Sequence, residues 1–157
     1  MAKIPLSDFP KHLKQSLDKA KQELLSPSNL KKIGDDIAEK IVLRTRLGNG
    51  LDVEQGEPTK LKPLSPKYIE QRKTMQLSEL ASPKKSNLTQ TGKMLSDVIS
   101  KVTGNIINIT FKSDDSKDKA RWNSEKGRTF MNISRVQVER LTNDIQKQIR
   151  QILKKYL

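Results

Sequence analysis

Val138, Leu141, Ile145, Ile149, Ile152 and Tyr156 follow one another at steps of three, four, four, three and four residues. Only an α-helix returns side chains to one face with that period. The chain from Ser134 onward is therefore expected to be a long helix whose apolar stripe needs another surface to cover it. Two further stripes share the period. Phe9, Leu13, Leu17, Ala20 and Leu24 mark a helix after Pro5, with Pro10 suited to its first turn. Leu30, Ile33, Ile37 and Ile41 mark another that runs to about Arg46, with Ser26-Pro27-Ser28-Asn29 separating the two and offering a cap.

Between these helices the pattern changes. Residues 47–63 hold Gly48, Gly50, Gly56, Pro58 and Pro63 without a sustained period, and residues 76–88 form a second irregular connector. Ser65 can cap a short helix over Pro66–Met75, with Tyr68, Ile69 and Met75 as its apolar side. Met94, Leu95, Val98 and Ile99 give a helix over Thr91–Ser100, although Val98–Val102 also suits a strand hairpinned to the alternating Ile107, Ile109 and Phe111 across Thr103-Gly104-Asn105. Ser113–Asp118 reads as a charged turn, 119–124 as a short helix carrying Trp122, and Thr129–Ile133 as another strand. The expected fold is α+β: long amphipathic helices packed on a small antiparallel sheet, with long loops that order on assembly. It forms one domain over 1–157, with an N-terminal helical region at 1–28 and loops at 47–63 and 76–88.

Composition limits what such a fold can bury. The chain has 157 residues, is 33% hydrophobic and only 4% aromatic. A Leu/Ile/Val core this thin suggests a protein that completes its burial against partners. The absence of cysteine removes disulfides and thiolate metal sites. The start MAKIPLSDFPKH has no apolar signal core, and no run approaches the roughly 20 apolar residues of a membrane helix. A cytoplasmically made, soluble protein without membrane contact is expected. The net charge of +13 is widely spread. It favours contact with nucleic acid or an acidic protein surface without choosing between them. One stretch runs the other way: residues 49–59 hold Asp52, Glu54 and Glu57 and no base.

Residues that carry catalytic chemistry are sparse. The single histidine, His12, falls on the polar side of the first helix, with no carboxylate cluster beside it. Asp35-Asp36, Asp114-Asp115 and Asp118 are flanked by lysines and read as solvated charges rather than ligands. No phosphate-cradling glycine loop occurs. Ser82-Pro83-Lys84-Lys85 is a single, weak minor-groove-like tetrapeptide, and the few aromatics are too scattered for a base-stacking platform. No catalytic residue, metal or cofactor is expected.

Three short elements have a more specific form. Lys62, Pro63, Leu64, Ser65, Tyr68, Ile69, Arg72 and Lys73 follow a KPLSxxYIxxRK pattern. Ser86, Asn87, Leu88, Thr89, Thr91, Gly92, Met94 and Leu95 follow SNLTxTGxML, and Gly127, Arg128, Phe130, Ile133 and Ser134 follow GRxFxxIS. In this order and spacing the chain resembles the bacteriophage tail-completion, or neck, proteins of virion morphogenesis. The likeness spans about Ile33 to Leu153, with Thr129 in place of a frequent proline. It implies a structural virion protein, not an enzyme. Such a protein forms a ring, preferably sixfold and alternatively twelvefold, at the top of the tail.

The implied partners are other copies of the chain, portal, connector or adaptor proteins, and tail-tube or terminator proteins, with contact to DNA phosphates during passage. On this reading Leu64 and Tyr68 pack near Leu95, Thr89 or Thr91 caps the following helix, and Arg72, Ser86, Asn87, Leu88, Gly92, Arg128 and Phe130 belong to the same structural and interface motif. Arg44, Arg46, Asp52, Lys60 and Lys62 concentrate charge of both signs beyond a helix end and are the expected contact between rings. The rival reading is a basic architectural protein that binds DNA without sequence preference.

Overall fold

A computed structural model describes residues 9–52, 54–75, 77 and 84–156, with the side chain of Tyr156 outside the described residues. Most of the 76–88 connector, Ser82 and Pro83 included, also lies outside them. The elements are α1 Phe9–Leu24, α2 Pro27–Arg46, β1 Asn49–Leu51, β2 Pro58–Lys60, α3 Pro66–Lys73, α4 Lys93–Ser96, β3 Val98–Thr103, β4 Ile106–Phe111, α5 Asp114–Glu125 and α6 Arg135–Tyr156. The fold is α+β. Among the described residues no helix is long and apolar enough to cross a membrane.

Local signals set the helix starts. Ser26 Oγ accepts from Asn29 N at 3.3 Å and Pro27 opens α2. Ser65 does the same for α3 through Tyr68 N at 3.3 Å. At α6, Ser134 Oγ accepts from Gln137 N at 3.2 Å while Gln137 Oε1 accepts from Ser134 N at 2.9 Å, a reciprocal capping box.

Helix α2 lies across the antiparallel β3–β4 hairpin. Gly34 permits the close approach, since a Cβ there would stand 2.7 Å from both Ser100 Cβ and Ile107 Cγ2. The core gathers Ile37 and Ile41 of α2, Met94 and Leu95 of α4, Ala120 of α5 and Phe130. Helices α1 and α6 pair with each other, and Lys155 Nζ meets Glu23 Oε2 at 3.1 Å across the pair. Their stripes are incompletely covered. Ile152 is buried and Leu141, Ile145 and Ile149 are half-buried, but Val138, Phe9 and Leu17 are exposed.

Four sequence expectations need correction. The helix read over 91–100 ends at Ser96. From Val98 a β-branched stretch instead pairs with β4, from Val98↔Phe111 to Thr103↔Ile106. The charged turn at 113–118 is the first half of α5. Ser113 Oγ accepts from Ser116 N at 3.3 Å, and Asp114 and Asp115 lie in the first turn, where the helix dipole favours acids. The strand read at 129–133 is irregular chain, because its carbonyls have other donors: Leu51 N bonds Thr129 O at 2.9 Å, and an arginine takes those of Phe130 and Asn132. Finally, the described part of 47–63 is ordered within a single chain. It contains the β1–β2 hairpin, paired from Asn49↔Lys60 to Leu51↔Pro58.

Candidate functional site

The three motif elements meet, although they lie far apart in sequence. Ser86 Oγ donates to Lys62 O at 2.8 Å, and Arg128 donates to Lys62 O from Nε and to Pro63 O from Nη2, each at 3.3 Å. Tyr68 Oη donates to Gln90 Oε1 at 2.9 Å, and Arg72 Nη1 donates to Lys85 O at 3.3 Å. These bonds tie the 62–73 segment to 84–90 on one side and to 128 on the other. Between them lies a cleft of about 970 Å³ whose far wall is α5.

Its floor is apolar, from Pro63, Leu64, Leu88 and Met94, with Tyr68 and Trp122 as the aromatic members. Lys62, Arg72, Lys119, Lys126 and Arg128 supply five cations, and among the described residues no carboxylate lines the cleft. Of these, Lys119 is paired along its own helix with Asp115, at 2.7 Å. Arg72 is only 2% exposed, and its Nε and Nη2, the two nitrogens of one guanidinium edge, are buried without an acceptor among the described residues. Its remaining contact is the Tyr68 ring, 5.8 Å from Cζ to centroid. That edge is the part of an arginine that grips a two-oxygen anion.

The motif residues divide by role. Leu64, Tyr68, Arg72, Leu88, Thr91 and Arg128 line the cleft. Asn87 and Thr89 form a buried knot behind it. Thr89 Oγ1 donates to Asn87 Oδ1, Asn87 Nδ2 donates to Arg46 O at 3.4 Å, and Leu88 between them takes a left-handed φ of 55°. Leu95 and Phe130 belong to the core, so Met94, rather than Leu95, shares the cleft with Leu64 and Tyr68. Neither threonine occupies the N-cap of α4, although Thr91 Oγ1 accepts a long hydrogen bond, 3.4 Å, from Lys93 N, the helix's first N–H. The N-cap is Gly92 at φ 74°, a conformation no β-branched residue adopts readily.

The five residues expected to form a contact between rings do not behave alike. Lys60 and Lys62 are exposed, Asp52 and Arg46 are half-buried, and Arg44 is interior. Its Nη2 donates to Phe130 O and Asn132 O, both at 2.7 Å, and its Nη1 to Gln137 Oε1 at 2.9 Å. Burial pulls its pKa down from the usual arginine value. Arg44 is therefore a structural residue and unavailable to a neighbour.

Sequence reading missed Lys119, Trp122, Asn123 and Lys126, because the turn of α5 that presents them was not joined to its start. The signals were present: Ser113 three residues before Ser116, and the Asp115–Lys119 and Arg121–Glu125 pairs at helical spacing.

Elsewhere the electrostatics serve the scaffold. Asp97 Oδ2 accepts from Ser113 Oγ and from Ser116 Oγ, the latter at 2.7 Å, and these bonds hold its carboxyl below the usual carboxylate range. Asp35 is held low in the same direction by Lys31 and Ser100. Among the described residues no three His, Asp or Glu side chains are grouped to hold a metal. Comparison with protein families, with curated proteins and with solved structures finds no match to this chain.

Proposed function

We propose that this chain is a structural component of a bacteriophage virion, forming a ring at the head–tail junction that completes the tail and joins it to the portal or connector. The observation that carries the reading is the convergence of the three motif elements on one cleft. Residues that resemble a neck protein only as separate strings form a single connected unit, as parts of one family signature should. Two physical features support assembly as the activity. The apolar stripes of α1 and α6 leave Phe9, Leu17 and Val138 exposed, so burial in the single chain is incomplete. The charge of +13 is suited to a ring that meets both DNA phosphates and acidic neighbours.

The exposed Lys117 on α5 and Arg140 and Arg150 on α6, which form no ion pair among the described residues, favour a second reading, a basic protein that coats DNA without reading its sequence. One experiment separates the two. Mass spectrometry and cryo-electron microscopy of purified virions should find the chain as a ring between capsid and tail. Its absence from virions, together with steeply salt-dependent DNA binding by the free protein, would overturn the neck reading in favour of the second.

A further inference from the structure

We infer that the cationic cleft receives the acidic β1–β2 turn of a second copy of this chain. The inference rests on the ring reading above and names the contact that would close the ring. The cleft carries a charge surplus: of its five lining cations only Lys119 has an ion-pair partner among the described residues, no described carboxylate lines it, and one edge of Arg72 has no acceptor among them. Low-dielectric walls focus such a surplus into the opening.

The β1–β2 turn has the matching chemistry. Residues 49–59 contain three acids and no base. Glu54 and Glu57 are exposed and form no ion pair among the described residues. The described residues of the turn are preorganised, since Asp52 Oδ1 accepts from Glu54 N at 2.9 Å and Gln55 N at 3.1 Å, and Gly56 O accepts from Arg135 N at 2.7 Å. A turn already ordered loses little entropy on docking.

The hairpin's topology favours a contact between copies. The strands pair from Asn49↔Lys60 to Leu51↔Pro58, so the acidic turn leaves one end of the hairpin while the chain enters the cleft at Lys62 from the other. Turn and cleft are thus different patches, reached from opposite ends of the hairpin, and a contact between different patches of two copies is the heterologous arrangement that propagates head to tail and closes when the rotation allows. An apolar floor inside a charged rim, with Trp122 57% exposed, has the anatomy of a protein–protein contact.

The test uses the full-length chain in sedimentation velocity at low and high salt. Wild type should self-associate, more weakly at high salt. A turn variant, Glu54→Lys with Glu57→Lys, and a cleft variant, Lys62→Glu with Lys126→Glu, should each associate about tenfold or more weakly. All four positions are exposed, and circular dichroism checks that both variants are folded. Mixing the two variants, or combining all four changes in one chain, restores opposite charges across the contact and should restore association. A wild type that stays monomeric, variants that associate like wild type, or a combination that fails to recover would each overturn the inference. None of these outcomes touches the neck reading, which the virion itself decides.

Discussion

Arg44 and Arg72 each occupy the last turn of a helix, each is buried, and their surroundings differ in kind. Arg44 stitches α2 to the 130–137 segment through two carbonyls and one amide oxygen, leaving only Nε without an acceptor. Arg72 has one long bond to Lys85 O, the Tyr68 ring, and an edge without an acceptor among the described residues. A buried cation with its donors satisfied holds a fold together. One left half-satisfied beside an open cleft contributes little to the stability of the single chain. The α2–130s knot is finished architecture, whereas the α3–α5 cleft has the character of an unfilled interface.

The comparison can be broken by stability measurements in urea. Phe130→Ala should cost the most, about 3–5 kcal/mol, because the fully buried ring anchors the knot within the core. Arg44→Met should follow at about 2–3 kcal/mol, since it strands the Phe130 and Asn132 carbonyls without their donor. Arg72→Met should change stability by less than about 1 kcal/mol in either direction, as it removes an incompletely paired buried charge. If Arg72→Met costs as much as Arg44→Met, the distinction between finished knot and unfilled cleft is lost.

Thr91→Ala sharpens the account of the cleft's floor. With Gly92 as the N-cap and Thr91 exposed, the loss should stay below about 0.5 kcal/mol, and a cost near 2 kcal/mol would return Thr91 to a capping role. The subtlest effect concerns Asp97, which ties the start of β3 to the first turn of α5 and so holds the cleft's far wall. Its folded pKa lies below the ordinary value of 3.8, so its contribution is present above that value and is lost as pH falls through the folded one. In thermal unfolding across a pH series, wild type should exceed Asp97→Asn at neutral pH, and the gap should close in acid. A gap that widens in acid contradicts the assignment.

Much of the scaffold was legible in the residues. The stripes of α1, α2 and α6, the Ser26 and Ser65 caps and the alternation in β4 are all local patterns, and the elements formed where they pointed. The errors cluster where a local pattern had two solutions. Val98–Val102 satisfied both helix and strand periods, and the β4 ladder decided for the strand. Thr129–Ile133 alternated like a strand, but its carbonyls were claimed by Leu51 N and Arg44. Of the cleft, the 62–73 and 86–95 walls were marked by their motifs. The α5 wall was not, because the Asp114-Asp115 cluster resembled a turn until Ser113 was seen to cap it.

The stripes of α1, α2 and α6 and the Ser26 and Ser65 caps were fixed locally, because helical periodicity and end-capping depend on residues within a few positions of one another. The sequence by itself also determined the excess of positive charge and the lone acidic stretch at 49–59. Only the tertiary structure decided which charges are interior. Arg44 and Arg46 stand two residues apart at one helix end, and nothing local separates them. Arg44 became structural because chain more than eighty residues away closed over it, and Arg72 acquired its cleft because α5 came to stand opposite. Burial is set by what arrives from elsewhere in the chain, and that is not written at the residue itself.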